Sequence, residues 1–293
     1  MKYVSKAILK QVYKKREPWA HKGNYGKLLV IGGSKRYQGP IFAGLAAYRT
    51  GCDLVFMIGP QRPMDIAASY SPHLITEPLE GDQLESKHIE TILKMLDEVK
   101  ATAVVIGNGL WRTQETRKAV IELVKRIQLP MVIDADAIRA MSADKKILYK
   151  KNAVLTPHAN EFLELTGKNV STDINKRVKA VKDEAEKINC SAGACPIIPP
   201  VVILLKGHVD VISNGHDVAL NKTGNPYMTK GGLGDSLAGI CGALLARGID
   251  PFTAASAAAY INGMAGDLVA KVKGEGLLTT EVIDKIPEVI KNG

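Results

Sequence analysis

The chain has 293 residues, 46% hydrophobic, 24% charged and only 5% aromatic, enough for one large α/β domain or two small ones with a sizeable core. Four Phe residues are too few for an aromatic nucleic-acid platform. The net charge of +9 comes from Lys and Arg scattered among acids, which fits a solvated surface and a small anionic substrate better than a dedicated nucleic-acid face.

In chain order, the opening "MKYVSKAILKQVYKKREPW" lacks the continuous apolar core of a signal peptide. No later run is long and apolar enough for a membrane span, so a cytoplasmic protein is expected. Short apolar, β-branched runs then alternate with amphipathic stretches. Strands are predicted at 27–33, 53–59, 103–109, 130–136, 152–158 and 200–207. Helices are predicted at 40–51, 86–99, 113–127, 137–142, 159–166, 171–189, 235–248 and 253–270. Strand-then-helix repetition implies a mostly parallel sheet covered on both faces. No composition break marks a second domain. "SAGACPIIPP" (191–200) reads as an irregular loop. Cys52 and Cys241 lie in apolar runs and read as buried thiols. Cys190 and Cys195 could form a loop disulfide, although a cytosolic setting favours reduced thiols; no zinc spacing occurs.

Most predicted strands end in a polar or glycine-rich turn: "GGS", "GNG", "DAD", "TPH", "KGH". In open α/β sheets ligands sit beyond the carboxyl ends of the strands, so these turns should converge on one crevice. No Walker A motif, G-x-G-x-x-G fingerprint, H-E-x-x-H or G-x-S-x-G is present. The remaining motif is "KGGLGDSLAG" (230–239). Its apolar residues continue at helical spacing to Gly248, a C-cap candidate. Glycines before a helix start expose backbone N–H groups along the helix dipole and form an anion site. In the plainer reading Asp235 is an N-cap and the glycines a tight turn. An aspartate at a helix N-terminus is expected to have a depressed pKa, which suits a carboxylate that orients a hydroxyl better than a strong base. Other strand ends carry Lys206, able to reach a phosphate or simply be solvated, and Asp134 and Asp136, either indirect Mg²⁺ ligands or helix caps. "LTPHANEF" carries His158, Asn160 and Glu161 at the crevice or merely at a helix start.

The motifs "HKGNYGKLLVIGGS", "YQGPIFAGLAAYRTGCDLV", "VIGNGL", "VIDADAI", "LTPHANEF", "LLKGHVDVISNG" and "NPYMTKGGLGDSLAG" together resemble the ADP/ATP-dependent NAD(P)H-hydrate dehydratases of the ribokinase superfamily. The resemblance runs from about His21 to Ala270. It implies a single domain with a three-layer ribokinase-like fold. It implies repair of (6S)-NAD(P)H hydrate: ADP or ATP, with Mg²⁺, phosphorylates the substrate hydroxyl, and phosphate then leaves. By family position, Asp235 would be the catalytic base and Gly232, Leu233 and Gly234 the anion hole. Gly39, Gly109, His158, Asn160 and Glu161 would contact the hydrated dinucleotide. Lys206, Gly207, His208, Val209, Asp210, Asn225 and Gly234 would contact the donor.

The chain departs from the family pattern at Leu233, usually small and polar, at Gly39, usually alanine, and at Asn108, usually proline. No nucleic-acid or membrane partner is implied. The expected state is a homo-oligomer, with a tetramer possible, served by a separate NAD(P)H-hydrate epimerase. The same glycine–aspartate turn would serve a ribokinase-superfamily kinase acting on a hydroxymethylpyrimidine, a thiazole alcohol or a sugar. A stable phosphorylated product would mark that alternative.

Overall fold

The computed structural model describes residues 2–190 and 200–293. The predicted loop at 191–200, apart from Pro200, and Cys195 with it, lie outside the described residues. Strands β1 (Lys2–Tyr3), β2 (Lys27–Ile31), β3 (Leu54–Pro60), β4 (Ile75–Leu79), β5 (Ala103–Ile106), β6 (Met131–Ile133), β7 (Ala153–Leu155), β8 (Val202–Leu205), β9 (Asp210–Ser213) and β10 (Val218–Asn221) form one sheet. Its order is β1-β10-β9-β8-β7-β6-β5-β2-β3-β4. All pairings are parallel except those of β9 with β8 and β10.

Helices α1 (Ala7–Val12), α2 (Gly39–Arg49), α3 (Gln61–Tyr70), α4 (Ile89–Val99), α5 (Gln114–Arg126), α6 (Ala135–Met141), α7 (Ala159–Thr166), α8 (Ile174–Asn189), α9 (Leu233–Ala246), α10 (Pro251–Lys273) and α11 (Thr279–Lys291) cover both faces. Side chains alternate across a strand, so each strand feeds two cores. Leu28, Val30, Ala103 and Val105 join the core formed with α2, α9, α10 and α11. Leu29, Ile31, Val104 and Ile106 join the one formed with α4, α5, α6 and α8. Among the described residues no helix is long and apolar enough to cross a membrane.

All six predicted strands are present; five stop early, and β3 runs one residue past its predicted end. β5 ends at Ile106 because Gly107 (φ +126°) and Gly109 (φ +64°) turn the backbone into conformations that L side chains rarely adopt. The polar turn residues therefore lie beyond the sheet, free to form a site. Helices α1, α3 and α11 and strands β1, β4 and β10 are not among the predicted elements, although α11 has an apolar face in Val282, Ile283, Ile286 and Val289. β4 is an edge strand, "ITEPL", with only Leu79 buried, so no apolar run announces it. Helix α9 ends as predicted. Gly248 is left-handed (φ +82°), its N–H donates to Leu245 O, and the Ile249 N–H donates to Leu244 O, a Schellman motif.

Two helices that carry the site pack very closely. A Cβ on Gly239 of α9 would press into the backbone of Ala43 in α2. Cys52 and Cys241 are buried free thiols, as expected. Cys190 is disulfide-bonded, against the expectation of a reduced thiol there.

Candidate active site

Four neighbouring strands, β5, β6, β7 and β8, run parallel; the first three end level with one another and β8 runs two residues farther. Just past their carboxyl ends stand Asn108, Asp134, Thr156 and Lys206. Parallel register therefore gathers four polar side chains from distant parts of the chain. Asp134, almost wholly buried, is the hub. Its Oδ1 accepts from Thr156 Oγ1 at 2.6 Å and from Lys206 Nζ at 3.2 Å. Its Oδ2 accepts from Asn108 Nδ2 at 3.0 Å. Lys206 Nζ also lies 3.8 Å from Glu161 Oε2. Burial opposes the Lys206 charge, but Asp134 and Glu161 outweigh it and raise the pKa above the usual lysine value.

Helix α9 aims its N-terminus at this cluster. Gly232 is its N-cap in a left-handed conformation (φ +93°), and a Cβ there would meet the Phe42 ring at 2.7 Å. The N–H groups of Leu233, Gly234 and Asp235 have no partner among the described residues, as a helix start dictates. A Cβ on Gly234 would stand 3.3 Å from Lys206 Nζ, so the lysine cation flanks this turn of bare backbone. Leu233 does not face the anion site with a polar group; its side chain is buried in the core. The loss of a small polar residue therefore leaves the backbone donors in place.

Asp235 lies in the first turn of α9, partly buried. Its Oδ1 accepts from Asn108 Nδ2 at 2.7 Å. Burial, then the neighbouring Asp134 carboxylate, push its pKa up to about 7, against the opposing pull of Asn108 and Lys206. The depressed pKa expected from the helix dipole is thus overturned, because desolvation and a second buried carboxylate outweigh the dipole. Asp235 also makes no side-chain capping bond. A Cβ on Gly39 would come within 2.9 Å of the Asp235 carboxylate, and one on Gly109 within 3.3 Å of Gly39 N. Gly39, Gly109 and Asp235 thus lie side by side, and a side chain at either glycine would crowd the carboxylate or its neighbour.

On the other side of Lys206 is a cavity of about 720 Å³. Among its lining residues are His158, Lys206, Gly207, His208, Asp210, Asn225 and Gly234, all singled out from sequence. Asp210 closes the turn after Lys206, accepting from the Gly207 N–H and from Asn221 Nδ2, both at 2.9 Å; burial pushes its pKa up. The Asn225 side chain is committed within the protein, with Nδ2 donating to Asp267 at 2.9 Å and Oδ1 accepting from the Tyr227 N–H. Val209 packs on the core instead of lining the cavity.

His158 and Glu161 also form the capping box of α7. His158 Nδ1 accepts the Asn160 and Glu161 N–H groups, and Glu161 Oε2 accepts the His158 N–H at 2.9 Å. The helix-start reading and the site reading therefore both hold for this pair. Asn160 is exposed, with only its backbone engaged.

Asp136 does not cap a helix. It is paired with Arg112 at 2.8 Å and Arg139 at 2.9 Å. Asp134 is hydrogen-bonded on both oxygens, whereas both Asp136 contacts fall on Oδ1. No group of three or more potential ligands clusters among the described residues. Among the described residues there is thus no all-protein magnesium cage.

Sequence reasoning missed Thr156, although it stands in "LTPHANEF", and Arg139, which ties Asp136 to Glu164 at 2.7 Å. It also missed Asn262, which accepts from Ser236 Oγ at 3.1 Å and anchors the first turn of α9 to α10. Nothing in their local sequence signals these partners.

The family model described as NAD(P)H-hydrate dehydratase matches residues 28–288, most of the chain and every strand end just described. The chain belongs to this family. The ADP-dependent (S)-NAD(P)H-hydrate dehydratase of Nitrosopumilus maritimus is 34% identical over 294 residues, covering 99% of this chain and 97% of that one. The bifunctional NAD(P)H-hydrate repair enzyme of Hyperthermus butylicus is 39% identical over 281 residues, 93% of this chain and 50% of that protein. The chain thus spans about half the length of the bifunctional relatives it matches. Among solved structures, the ADP/ATP-dependent NAD(P)H-hydrate dehydratase of Bacillus subtilis, co-crystallised with ATP and Mg²⁺, superposes with a TM-score of 0.78. It is 27% identical and covers 99% of this chain and 98% of its own. The ribokinase-like α/β fold implied by the dehydratase resemblance is the one observed.

Proposed function

We propose that this member of the dehydratase family converts (6S)-NAD(P)H hydrate back to NAD(P)H, using ADP or ATP as phosphoryl donor. The observation that carries the reading is Asp235: a carboxylate with a pKa near 7 at the start of a glycine-led helix, beside Gly39 and Gly109 and near a nucleotide-sized cavity. A base poised near neutrality is matched to its task.

In this reading the hydrated nicotinamide ring lies against Gly39 and Gly109, with His158, Asn160 and Glu161 nearby. The donor occupies the cavity lined by Lys206, Gly207, His208, Asp210 and Gly234, with Asn225 shaping its rim. Asp235 accepts the proton of the substrate hydroxyl as its oxygen attacks the terminal phosphorus. The phosphoanhydride bond breaks, leaving AMP from ADP or ADP from ATP. The N–H groups of Leu233 and Gly234, beside Gly232 and the Lys206 cation, stabilise charge on the phosphoryl group in flight. The ring nitrogen lone pair then expels phosphate, a far better leaving group than hydroxide, and loss of a ring proton restores the double bond. Magnesium would come with the nucleotide and would neutralise charge on its phosphates. The same reading sets the enzyme in the cytoplasm as a homo-oligomer working beside an epimerase.

The test is direct. Hydrated NADH is mixed with the protein, Mg²⁺ and either ADP or ATP. Absorbance of the reduced nicotinamide should recover in step with phosphate release. No recovery with either donor would sink the proposal, and a stable phosphorylated product would point to a kinase.

A further inference from the structure

Asn108 is one of the positions at which the sequence departs from the pattern of the family it resembles, and the sequence alone gives it no role. In the fold it is fully buried at the centre of the site. Its Nδ2 is within hydrogen-bond distance of two carboxylates from different elements, Asp134 Oδ2 at 3.0 Å and Asp235 Oδ1 at 2.7 Å. An amide nitrogen carries two hydrogens, one for each acceptor. The reverse orientation would set the amide oxygen against both carboxylates, so chemistry fixes the direction of the bridge. Asn108 is also the single hydrogen-bond partner of the Asp235 side chain among the described residues. Its own Oδ1 is buried without a partner, a cost that the bridge must offset.

We propose that Asn108 is a positioning residue for the reaction: by bridging Asp235 to the fixed Asp134 carboxylate, it holds the Asp235 side chain beside Gly39 and Gly109 and keeps its second oxygen for the substrate hydroxyl. Asp134 is itself fixed by Thr156 and Lys206. The bridge thus couples the base to the ends of β6, β7 and β8. The charged groups facing Asp235 are Asp134 from the end of β6, Glu161 from α7 and Lys206 from the end of β8. The first two disfavour its ionised form and Lys206 favours it. Asn108 adds the hydrogen bond that favours the carboxylate.

This inference rests on Asp235 being the base, and its test has a readout that needs no turnover. Asn108→Leu keeps the volume and removes both donors. Asn108→Pro also removes them; the Asn108 N–H makes no bond among the described residues that proline would lose. The Asp235 carboxyl is titrated by ¹³C NMR in aspartate-labelled protein, assigned by its absence in Asp235→Asn. In whichever variants fold, its midpoint should rise by about one pH unit relative to the parent. The acid limb of kcat/KM should move with it, a loss of about tenfold at pH 6 that is largely recovered at pH 9. The KM for the nucleotide should stay near the parental value. An unmoved midpoint, with only a lower Tm, would show a packing role and overturn the inference. A moved midpoint in a protein that never turns over hydrated NADH would leave the bridge standing and refute the proposed function instead.

Discussion

In the proposed reaction, Asp235 is the residue at which function and stability pull apart. Its pKa in the folded protein, about 7, lies well above the ordinary 3.8. Between these values the native state keeps a proton that the unfolded chain has released. Stability therefore falls as pH rises from about 4 to 7, and the full deficit persists above 7. At about 1.36 kcal/mol per pH unit the deficit is at most about 4 kcal/mol. Asp235→Asn should abolish turnover at every pH. It should raise Tm above pH 7 and leave it near the parental value at pH 4, as thermal unfolding at the two pH values would show. Equal Tm differences at both would mean that the carboxylate is not held out of its ordinary range. In the parent enzyme, the acid limb of kcat/KM should have a midpoint near 7, because the ionised form is the base.

Helices α2 and α9 must be placed together for the site to exist. α2 begins at Gly39 and α9 carries Asp235 in its first turn, and both meet at Gly239, which lies on the Ala43 backbone. A methyl group there has nowhere to go, because its neighbour is backbone. Gly239→Ala should destabilise the protein by about 2 kcal/mol and lower kcat beyond what the loss of folded enzyme accounts for. Urea unfolding and activity per folded molecule would separate the two effects. Such a contact is invisible in "DSLAGICGALL", where the glycine looks like a mildly poor helix residue. Helix α9 was legible locally from its leucine and isoleucine spacing, although the fold buries it on every side from Ser236 to Ala246. The edge strand β4 was not, since its place is decided by pairing with β3 and hardly by burial.

For the molecule as a whole, the cavity beside Lys206 lies over one half of the sheet, drawing on the ends of β7, β8 and β10 and on α9 and α10. A ligand that fills it stabilises the native state alone. ADP or ATP with Mg²⁺ at about 100 times Kd should add about 2.7 kcal/mol to unfolding stability. Lys206→Met should remove most of that ligand-induced Tm shift while the unliganded protein still melts cooperatively. An unchanged shift would show that the donor binds elsewhere.

The sequence by itself determined the alternation of buried strands and amphipathic helices, hence the parallel sheet and the crevice at the strand ends. These follow from which side chains must leave water, and each run of residues writes that locally. The family resemblance, rather than local spacing, singled out Lys206, Gly207, His208, Asp210, Asn225 and Gly234, and these residues line one cavity. Only the tertiary structure decided the chemistry of the site. Asn108 meets Asp134 across 26 residues and Asp235 across 127, and Lys206 reaches Asp134 across 72. The state of a carboxylate depends on its desolvation and on charges a few ångströms away through space. Chain spacing does not encode those distances. The helix start around Asp235 therefore suggested a low pKa, and the folded protein gives it a high one.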